Sequence, residues 1–524
     1  MDYFEEIIRE IEEGRISTPK ELQQGKIRLC GKYDRDELPK NSEILEKVEE
    51  MDGVSREDVL HVLQRKPARK KSGVSVIAVM TSPAECPHGR CKMCPGGPKS
   101  EEPSPQSYTG EEPAALRGER NDFDPYEQVK DRLDQYRAIG HESDKIDMII
   151  MGGTFPARDW DYQKGFVKGC FDALNGKTSS SLKEAQKFNE SGEKRCIGLT
   201  VETRPDYCKE KELDRMLELG TTRIEIGVQS IRNSILKKIE RGHTVEDSIE
   251  ATRLAKERGL KVCYHIMPGL PGMSRADDLK DFLELFRNEK CQPDMLKIYP
   301  TLIVEGTELY ERWKKGDYEP LNTDEAASLI AEMKSAVPKY VRIQRVQRDI
   351  PSQLVEGGVK KSNLRQYARD KLEDKKERCD CIRCREVGHS DKEFDPGSLE
   401  LKRYVYRASG GVEHFLELSD SNDVLVGYAR LRTNGKEIPT VRELKVVGEM
   451  TPVDEERKDF QHSGFGSDLL KECEGIAEER GEKLRVTSGV GARDYYRKHD
   501  YELEGFYMVK ELKSNSSASK SSEG

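Results

Sequence analysis

The stretch Cys86-Pro-His-Gly-Arg-Cys91-Lys-Met-Cys94-Pro-Gly-Gly places three cysteines, with four and two residues between them, directly after the apolar run Val74 to Met80. Three thiolates on one short loop indicate a metal centre. A disulfide would use two of the three, a structural zinc site takes four ligands in two close pairs, and no fourth cysteine or second histidine lies nearby in the sequence. A cubane iron–sulfur cluster fits better, because three thiolates leave one iron free to chelate an amino and a carboxylate group.

The composition favours a soluble protein of more than one domain. Single hydrophobic cores stop growing at roughly 250 to 300 residues, so this chain of 524 residues should hold at least two. Hydrophobic residues make up 35% of the chain. No apolar run approaches the ~18 residues of a membrane-spanning helix, and the acidic start does not resemble a signal peptide. We therefore expect a cytoplasmic protein without a membrane segment.

Cysteine content and net charge limit the chemistry further. Six of the 13 cysteines fall in two clusters and the others are scattered singly, which favours metal binding in a reducing compartment over a disulfide framework. The net charge is −9. Any RNA-binding site must therefore be a local basic patch.

Residues 1–73 are predicted to form a helical module that ends in a basic run. Apolar residues recur at helical spacing in 3–11, and Ser55-Arg-Glu-Asp58 has the pattern of a capping box. The run at 65–71, Arg-Lys-Pro-Ala-Arg-Lys-Lys, has five cations in seven residues and suits phosphate oxygens. A solvated linker is the alternative. The position directly before the first predicted strand favours a contact with RNA.

Residues 74–350 alternate short apolar runs with longer amphipathic stretches, which predicts a parallel α/β sheet closed into a partial or complete barrel. The predicted strands are 74–80, 146–151, 197–201, 223–228, 261–267, 295–299 and 341–346. Functional groups of such folds lie at the carboxyl ends of the strands. The polar or glycine-rich motifs do follow successive strands: the cysteine loop, Gly152-Gly153, Glu202-Thr-Arg204, Gln229-Ser230 and the loop 268–272. Singly, each could be a strand-end turn or a surface ion pair; together at successive strand ends they indicate one site.

Residues 351–397 are basic and then rich in cysteine. Cations recur on a predicted helix, at Lys360, Lys361, Arg365, Arg369, Lys371, Lys375 and Lys376. The sequence Cys379-Asp-Cys381-Ile-Arg-Cys384 then places three thiols within six residues, which suits a tetrahedral zinc ion. The fourth ligand is not evident, and His389 is the nearest candidate. A second iron–sulfur cluster is the alternative.

Residues 398–512 change to antiparallel patterning, with alternating strands predicted at 412–418, 424–431 and 440–447. Gln461-His-Ser-Gly464-Phe-Gly466 then precedes a predicted helix at 467–480, which a further predicted strand follows at 483–488. Such a turn exposes backbone N–H groups to a pyrophosphate at the helix N-terminus, although glycine-rich turns also simply cap helices. The serine-rich tail, 513–524, is predicted to be disordered.

The ordered motifs resemble the catalytic subunit of Elongator over about residues 70 to 512. They are the cysteine loop, Gln106-Ser-Tyr-Thr-Gly110, Asp124-Pro-Tyr-Glu-Gln128, Met151-Gly-Gly-Thr-Phe155, Glu202-Thr-Arg-Pro-Asp206-Tyr-Cys, Glu225-Ile-Gly-Val-Gln-Ser230, Gln347-Arg-Asp-Ile-Pro351 and Arg385-Glu-Val-Gly388. The resemblance implies a radical S-adenosylmethionine (SAM) core of TIM-like, partial-barrel form at 74–350, a zinc-binding linker at 351–397 and a GCN5-related acetyltransferase (GNAT) α+β domain at 398–512. The spacing of the cysteines departs from the usual radical SAM signature, and animal and fungal members have a longer cluster loop.

The resemblance also implies roles for individual residues. A [4Fe-4S] cluster would be held by Cys86, Cys91 and Cys94, and a structural zinc by Cys379, Cys381 and Cys384. SAM would contact Gly152, Gly153, Glu202, Arg204, Gln229 and Ser230. Acetyl-CoA would contact Lys145, Glu443, Leu444, Lys445, Val446, Gln461, Gly464, Phe465, Gly466, Ser467 and Tyr496. Lys145, Tyr495 and Tyr496 are the implied catalytic residues.

The implied activity is that of a tRNA carboxymethyluridine synthase acting on the wobble uridine of the anticodon stem-loop. A 5'-deoxyadenosyl radical would take hydrogen from the methyl group of acetyl-CoA, and the carbon radical would add to C5 of the uracil. A protein lysine acetyltransferase with a structural iron–sulfur domain is the alternative, with Glu443 as a possible base. A catalytically silent RNA-binding scaffold is the third hypothesis, and the complete set of cofactor motifs disfavours it. The resemblance also implies partners, either a second copy of this chain or Elongator-like accessory subunits.

Overall fold

The structure, a computed structural model, describes residues 2–35, 37–51, 54–63, 73–100, 103–141, 144–435, 437–447, 464–481 and 483–512. The basic run at 65–71, the implied ligand-binding residue Gln461 and the tail from 513 lie outside the described residues. None of the described helices is long and apolar enough to cross a membrane.

Four helices at the N-terminus pack around a core of their own. They are α1 (Tyr3–Glu12), α2 (Pro19–Lys32), α3 (Asn41–Glu50) and α4 (Arg56–Leu63). Asp2 and Glu5 form a capping box at the start of α1, and Thr18 and Glu21 form one at the start of α2. Both helices therefore begin where side chains satisfy backbone N–H groups that have no partner within the helix. The predicted helical N-terminal region is confirmed within the described residues.

The central part alternates strands and helices. Its elements are β1 (Val74–Met80), α5 (Pro113–Arg120), α6 (Pro125–Ala138), β2 (Lys145–Met151), α7 (Trp160–Asn175), α8 (Leu182–Glu190), β3 (Arg195–Thr203), α9 (Glu210–Glu218), β4 (Arg223–Gln229), α10 (Asn233–Lys238), α11 (Val245–Glu257), β5 (Lys261–Ile266), α12 (Arg275–Arg287), β6 (Met295–Ile298), β7 (Ile303–Val304), α13 (Glu308–Lys314), α14 (Thr323–Ser335), β8 (Arg342–Arg345), β9 (Val355–Gly357), α15 (Leu364–Asp374) and α16 (Ile382–Arg385). Seven strands form a parallel sheet in the order β1-β2-β3-β4-β5-β6-β8, and β7 pairs with β9. The predicted parallel partial barrel is confirmed.

The two faces of this half-barrel differ in chemistry. Along β2, Ile146, Met148 and Ile150 are buried in the core formed with the outer helices. The alternate residues Lys145 and Asp147 are only partly buried and lie on the inner face. A strand points successive side chains to opposite sides. Polar residues at alternate positions are thus directed into the barrel.

Side chains of α6 cover the free edge of β1. Gln128 accepts a hydrogen bond from the backbone N–H of Met80 (2.8 Å) and donates one to its carbonyl (2.9 Å). The Tyr136 hydroxyl donates to the carbonyl of Val76 at 2.6 Å. An uncovered strand edge invites pairing with other chains. These contacts therefore end the sheet at β1.

The C-terminal part is a mixed sheet with helices. Its elements are β10 (Glu400–Ala408), β11 (Gly411–Ser419), β12 (Leu425–Thr433), β13 (Thr440–Val446), α17 (Phe465–Glu478), β14 (Lys483–Val486), α18 (Arg493–Arg497), β15 (Glu502–Glu504) and β16 (Tyr507–Glu511). The strand order is β10-β11-β12-β13-β14-β16-β15, with β13 and β14 parallel and the other pairs antiparallel. The four predicted strands correspond to β11, β12, β13 and β14, whereas β10, β15 and β16 were not predicted.

A buried network of charges joins the barrel to the C-terminal sheet. The Arg442 guanidinium donates to both carboxylate oxygens of Asp294 (2.8 and 2.6 Å) and to Glu413 (2.8 Å). The Lys256 ammonium lies 3.4 Å from Asp294. Burial raises the pKa of Asp294, but Arg442 and Lys256 together hold it well below its usual value. These groups are fully desolvated, so the interface depends on complete pairing.

We expect Arg442→Leu to lower the free energy of unfolding by about 3–5 kcal/mol, because it leaves two buried carboxylates without their main partner. Denaturant titration measures this change. Arg369→Leu is the matched control, since Arg369 pairs with Glu373 at an exposed position; such pairs contribute about 0–1 kcal/mol. Equal effects of the two substitutions would contradict a structural role for the network.

Candidate active site at the strand ends

A cavity of about 140 Å³ opens at the carboxyl ends of the barrel strands. It is lined by several residues that the sequence predicted for the site: Cys86, Cys91, Cys94, Gly153, Glu202, Arg204 and Gln229. Ser230 follows β4 and lines a smaller neighbouring cavity. The structure thus brings most of the predicted strand-end residues together, as the topology of a parallel sheet requires.

Hydrogen-bond donors lie against two of the three buried cysteine sulfurs, those of Cys91 and Cys94. Gln106 Nε2 donates to Cys94 Sγ at 3.1 Å, and Arg241 Nη1 lies 3.5 Å from Cys91 Sγ. His88 Nε2 lies 3.1 Å from the same Cys91 sulfur. Burial, with Arg204 and Arg241 nearby, lowers the pKa of His88 to about 4, so its ring is neutral at neutral pH. Donors directed at sulfur stabilise thiolates and tune the clusters that thiolates hold.

The two cysteine clusters differ in how closely their sulfurs approach. The sulfurs of Cys379, Cys381 and Cys384 all lie within 4.8 Å of one another. Within the described part of the chain, those of Cys86, Cys91 and Cys94 do not form such a close group. Thiolates around a single tetrahedral zinc ion lie about 3.8 Å apart, given a Zn–S distance of about 2.3 Å. The first set therefore suits one ion, whereas the wider set suits a larger cluster.

Gly152 and Gly153 form a turn that requires glycine. Their φ angles are 119° and 83°, in a region that other residues rarely adopt. A Cβ on Gly152 would lie 2.3 Å from Thr81 Oγ1, and one on Gly153 would lie 3.2 Å from the Gln106 Cβ. A Cβ on Gly153 would also lie 4.0 Å from Cys86 Sγ, so this turn packs against the cysteine loop.

Two other residues that line the cavity have strained backbones. Gln229 has a φ of 66° and Ser107 a φ of 76°, although neither is glycine. Such conformations cost of order 1–3 kcal/mol and are concentrated at functional sites. The side-chain oxygen of Gln229 is buried without a hydrogen-bond partner among the described residues, so it can accept from a ligand.

Glu202 and Arg204 have separate partners. The Tyr108 hydroxyl donates to Glu202 at 2.7 Å. Arg204 is 2% exposed and forms two hydrogen bonds of 2.9 Å with Asp206. It also contacts His88. The surface ion pair between Glu202 and Arg204, considered from the sequence, is therefore not formed.

A second set of charged side chains in the cavity was missed by the sequence analysis. Lys297 on β6 pairs with Glu225 on β4 and lies 3.6 Å from Glu202. His265 Nε2 on β5 lies 2.9 Å from Glu225. Burial raises the pKa of Glu225, but Lys297 and His265 bring it far below its usual value. The sequence does show these charged residues within otherwise apolar strands, in Arg223-Ile-Glu-Ile and Met295-Leu-Lys-Ile.

Lys145 lies at the opposite end of the barrel from the cysteines. It is the first residue of β2, and Met151 at the other end lines the cavity. Six steps of about 3.3 Å along a strand separate the two Cα atoms by about 20 Å. Among the other implied acetyl-CoA contacts, Glu443 accepts from Arg430 (2.8 Å) and from the Tyr428 hydroxyl (3.1 Å). Leu444, Lys445 and Val446 follow on β13 and are partly buried.

The glycine-rich turn before α17 faces one of the two implied catalytic tyrosines. Gly464 has a φ of 82°, and a Cβ on Gly466 would lie 2.8 Å from the Tyr495 hydroxyl. Tyr496 instead lies in the C-terminal hydrophobic core, 6% exposed, and its ring contacts Tyr495 edge to face. Phe465 and Ser467 begin α17, and Ser467 Oγ lies 3.3 Å from His499 Nε2.

The close group formed by Cys379, Cys381 and Cys384 has no fourth histidine, cysteine, aspartate or glutamate among the described residues. His389 Nδ1 lies 3.6 Å from Glu386 and outside this group. Of the cations predicted on a helix here, Lys360, Lys361, Lys375 and Lys376 flank α15 and the others lie within it. Lys371 and Lys375 pair with Asp324 and Glu332 on α14.

Comparison with known proteins identifies relatives over the whole chain. Residues 1–70 match the ELP3 N-terminal domain, 82–286 the Radical SAM superfamily and 293–374 the Radical_SAM C-terminal domain. The tRNA uridine(34) acetyltransferase of Methanocaldococcus infernus is 49% identical over 97% of this chain and 98% of that protein. Elongator complex protein 3 of Homo sapiens is 42% identical over 98% of this chain and 96% of that protein.

A solved structure shows the same fold. It is that of the archaeal Methanocaldococcus infernus Elp3 with an N-terminal deletion (1-46), which superposes with a TM-score of 0.75 at 48% identity. The match covers 84% of this chain and all of the other. The resemblance found in the sequence is thereby confirmed.

Proposed function

This chain belongs to the family of the tRNA uridine(34) acetyltransferases and Elongator complex protein 3, and we propose on that basis that it modifies the wobble uridine of tRNA with acetyl-CoA. The product would be 5-carboxymethyluridine. The observation that carries the proposal is the convergence of three buried cysteines and a left-handed glycine pair at one end of a parallel half-barrel. Carbon C5 of a pyrimidine is a poor nucleophile for simple acetyl transfer, so a radical enzyme suits this reaction.

The residues of the cavity fit a radical SAM cofactor set. Cys86, Cys91 and Cys94 would hold a [4Fe-4S] cluster, with Gln106 and Arg241 stabilising the thiolate charge. The turn at Gly152 and Gly153 would bind the methionine part of SAM, with Glu202, Arg204, Gln229 and Ser230 as further polar contacts. When bound, these cofactors supply a radical that abstracts hydrogen. The Glu225 and Lys297 pair would orient the substrate and exclude bulk water.

The C-terminal sheet would act as a GNAT domain that presents acetyl-CoA. Gly464 is the N-cap of α17, and the backbone N–H groups of Gly464 and Gly466 at this helix N-terminus would stabilise the pyrophosphate. Lys145, the segment 443–446, Gln461, Phe465 and Tyr496 complete the proposed contacts. Tyr495 is the better placed of the two proposed catalytic tyrosines to touch the ligand, because its hydroxyl faces this turn.

We further propose that successive parts of the chain have separate binding functions. Residues 1–73 would bind tRNA together with cations around α15, and 74–350 would form the radical SAM core. The linker 351–397 would bind a structural zinc through Cys379, Cys381 and Cys384, and 398–512 would bind acetyl-CoA. The fourth ligand of this zinc ion would be a water molecule or a residue outside the described ranges. A homodimer or accessory subunits would complete the tRNA-binding surface.

A protein lysine acetyltransferase is less well supported. Such an enzyme needs a base to take a proton from the acceptor amine. Burial raises the pKa of Glu443, but Arg430 and Lys261 hold it below its usual value. A carboxylate held ionised by two cations is a weak proton acceptor. The candidate base for that reaction is therefore poorly suited to it.

Anaerobic incubation of the purified protein with a tRNA that carries uridine at the wobble position tests the proposal. The mixture contains SAM, acetyl-CoA and a reductant, and nucleosides are analysed by mass spectrometry. We expect 5-carboxymethyluridine, and none from a tRNA with cytidine at that position. Acetylation of protein lysines without any uridine product would instead favour the alternative activity.

A further inference from the structure

The short segment that carries Tyr495 is anchored in the barrel as well as in the C-terminal sheet. It runs from Gly489 through one turn of 3₁₀ helix (Val490–Ala492) into α18. Val490 is 1% exposed and packs in the hydrophobic core of the barrel. Tyr496, further along the segment, packs in the core of the C-terminal sheet. The segment therefore crosses from one core to the other, and Tyr495 lies directly before the second anchor.

Two glycines let the start of this segment lie against β3 of the barrel. A Cβ on Gly489 would lie 2.1 Å from the carbonyl oxygen of Ile197. One on Gly491 would lie 2.5 Å from the Cβ of Arg195. These distances leave no room for a side chain, so the backbone itself is in contact with the strand. The barrel therefore fixes the chain immediately before α18.

A carboxylate of the barrel binds α18 itself. Glu190 is the last residue of α8 and is 3% exposed. Arg493 Nη1 donates to its Oε1 at 3.0 Å, and Arg497 Nη2 donates to its Oε2 at 2.8 Å. Burial raises the pKa of Glu190, but Lys187 and the two arginines bring it below its usual value, so the carboxylate is ionised at neutral pH. Because residues four apart share one face of a helix, Glu190 holds that face of α18 against α8.

Tyr495 projects from the opposite face of α18. It follows Arg493 by two residues, which corresponds to about 200° around a helix. Its hydroxyl lies 2.8 Å from where a Cβ on Gly466 would be, in the turn before α17. Its ring contacts those of Tyr496 and His499, with centroids 5.2 and 4.9 Å away. Since these neighbours belong to the same short segment, the position of the hydroxyl depends on how α18 lies.

We propose that Glu190 is a positioning residue for the acetyl-CoA site, and that it holds α18 in the orientation that places the Tyr495 hydroxyl against a ligand at the glycine-rich turn. This inference rests on the function proposed above. One wall of the site is then α17 of the C-terminal sheet, and the other is set by a helix of the barrel. An amide at position 190 would present an oxygen to one arginine and an NH₂ group to the other, which has no acceptor for it. Such a change would shift α18 and weaken acetyl-CoA binding.

Isothermal titration calorimetry of the full-length, cluster-loaded protein measures acetyl-CoA and SAM binding separately, without reductant and so without turnover. We expect Glu190→Gln to weaken acetyl-CoA binding about 5-fold, the effect of losing one hydrogen bond to the ligand. SAM binding should stay within about 2-fold of wild type, because the strand ends are unchanged. Tyr495→Phe should also weaken acetyl-CoA binding about 5-fold. The double variant should again lose about 5-fold rather than about 25-fold, since Glu190 acts through the Tyr495 hydroxyl.

Glu184→Gln is the matched control on the same helix. Glu184 accepts two hydrogen bonds of 2.6 Å from Ser180 at the opposite end of α8, so this variant should keep wild-type affinity for both ligands. Wild-type acetyl-CoA affinity in Glu190→Gln or in Tyr495→Phe, additive losses in the double variant, or an equal loss of SAM binding would overturn the inference, because Glu190 would then serve the fold alone. A wild-type protein that binds no acetyl-CoA would overturn the proposed function, and this inference with it.

Discussion

Cys91→Ala is expected to abolish formation of 5-carboxymethyluridine. Its sulfur has two nitrogen neighbours, His88 at 3.1 Å and Arg241 at 3.5 Å, so it is the cysteine best placed to carry a stabilised negative charge. Loss of one of three thiolates removes the anchor of a cluster that already has an iron without a protein ligand. Iron and sulfide analysis of the purified variant should show no cluster, while the zinc proposed for Cys379, Cys381 and Cys384 should remain.

Cys170→Ala is the control for this experiment. Cys170 lies fully buried on α7 in the core of the barrel, and burial raises the pKa of its thiol well above the usual value. Its replacement by alanine removes packing contacts but no metal ligand, so product yield and iron content should stay near those of the wild type. Cys91→Ala protein with a full complement of iron would instead assign the cluster to Cys379, Cys381 and Cys384, and would remove the zinc proposal.

The site could be located from the sequence because a parallel sheet brings successive strand ends to one edge. The cysteine loop follows β1, the glycine pair follows β2, and Glu202 is the penultimate residue of β3, so order along the chain predicted proximity in space. The fold class followed from the same alternation of strands and helices. Neither inference needed side-chain geometry.

The sequence analysis did not predict the cluster of Lys297, Glu225 and His265, because its formation depends on the register between strands. Glu225 pairs with Glu202 across β3 and β4, and His265 with Lys297 across β5 and β6. Register is set by packing and cannot be read from one strand alone. The sequence shows the polar residues within each apolar strand, but it does not show which of them lie side by side in the sheet.

The distinction between Tyr495 and Tyr496 also required the structure. Neighbouring residues of a helix point about 100° apart, since one turn takes 3.6 residues. The Tyr495 ring therefore faces the turn before α17, while the Tyr496 ring lies in the hydrophobic core. Strand β10 was missed because its charged and apolar residues alternate weakly, and most of it is exposed or only partly buried at a sheet edge.

Gly153→Val is expected to lower 5-carboxymethyluridine formation roughly 10- to 100-fold, from strain of about 1–3 kcal/mol at a site where backbone must approach the ligand. The φ of 83° is unfavourable for a β-branched residue. The added Cβ would lie 3.2 Å from the Gln106 Cβ and 4.0 Å from Cys86 Sγ. Displacing Gln106 also removes the hydrogen bond it donates to Cys94. Calorimetric titration with SAM and cluster absorbance identify which of these effects dominates.

Gly176→Val separates backbone strain from local crowding. Gly176 ends α7 with a φ of 65°, and nothing lies within 4 Å of where its Cβ would be. This variant incurs similar strain far from the cavity, so it should lose thermal stability yet keep SAM affinity and product yield. Gly153→Val should lose SAM affinity, and its loss of activity should be larger than its loss of thermal stability accounts for. If both variants lost activity in proportion to stability, the turn at Gly153 would serve the fold alone, and the ligand would have to be bound by the other strand ends.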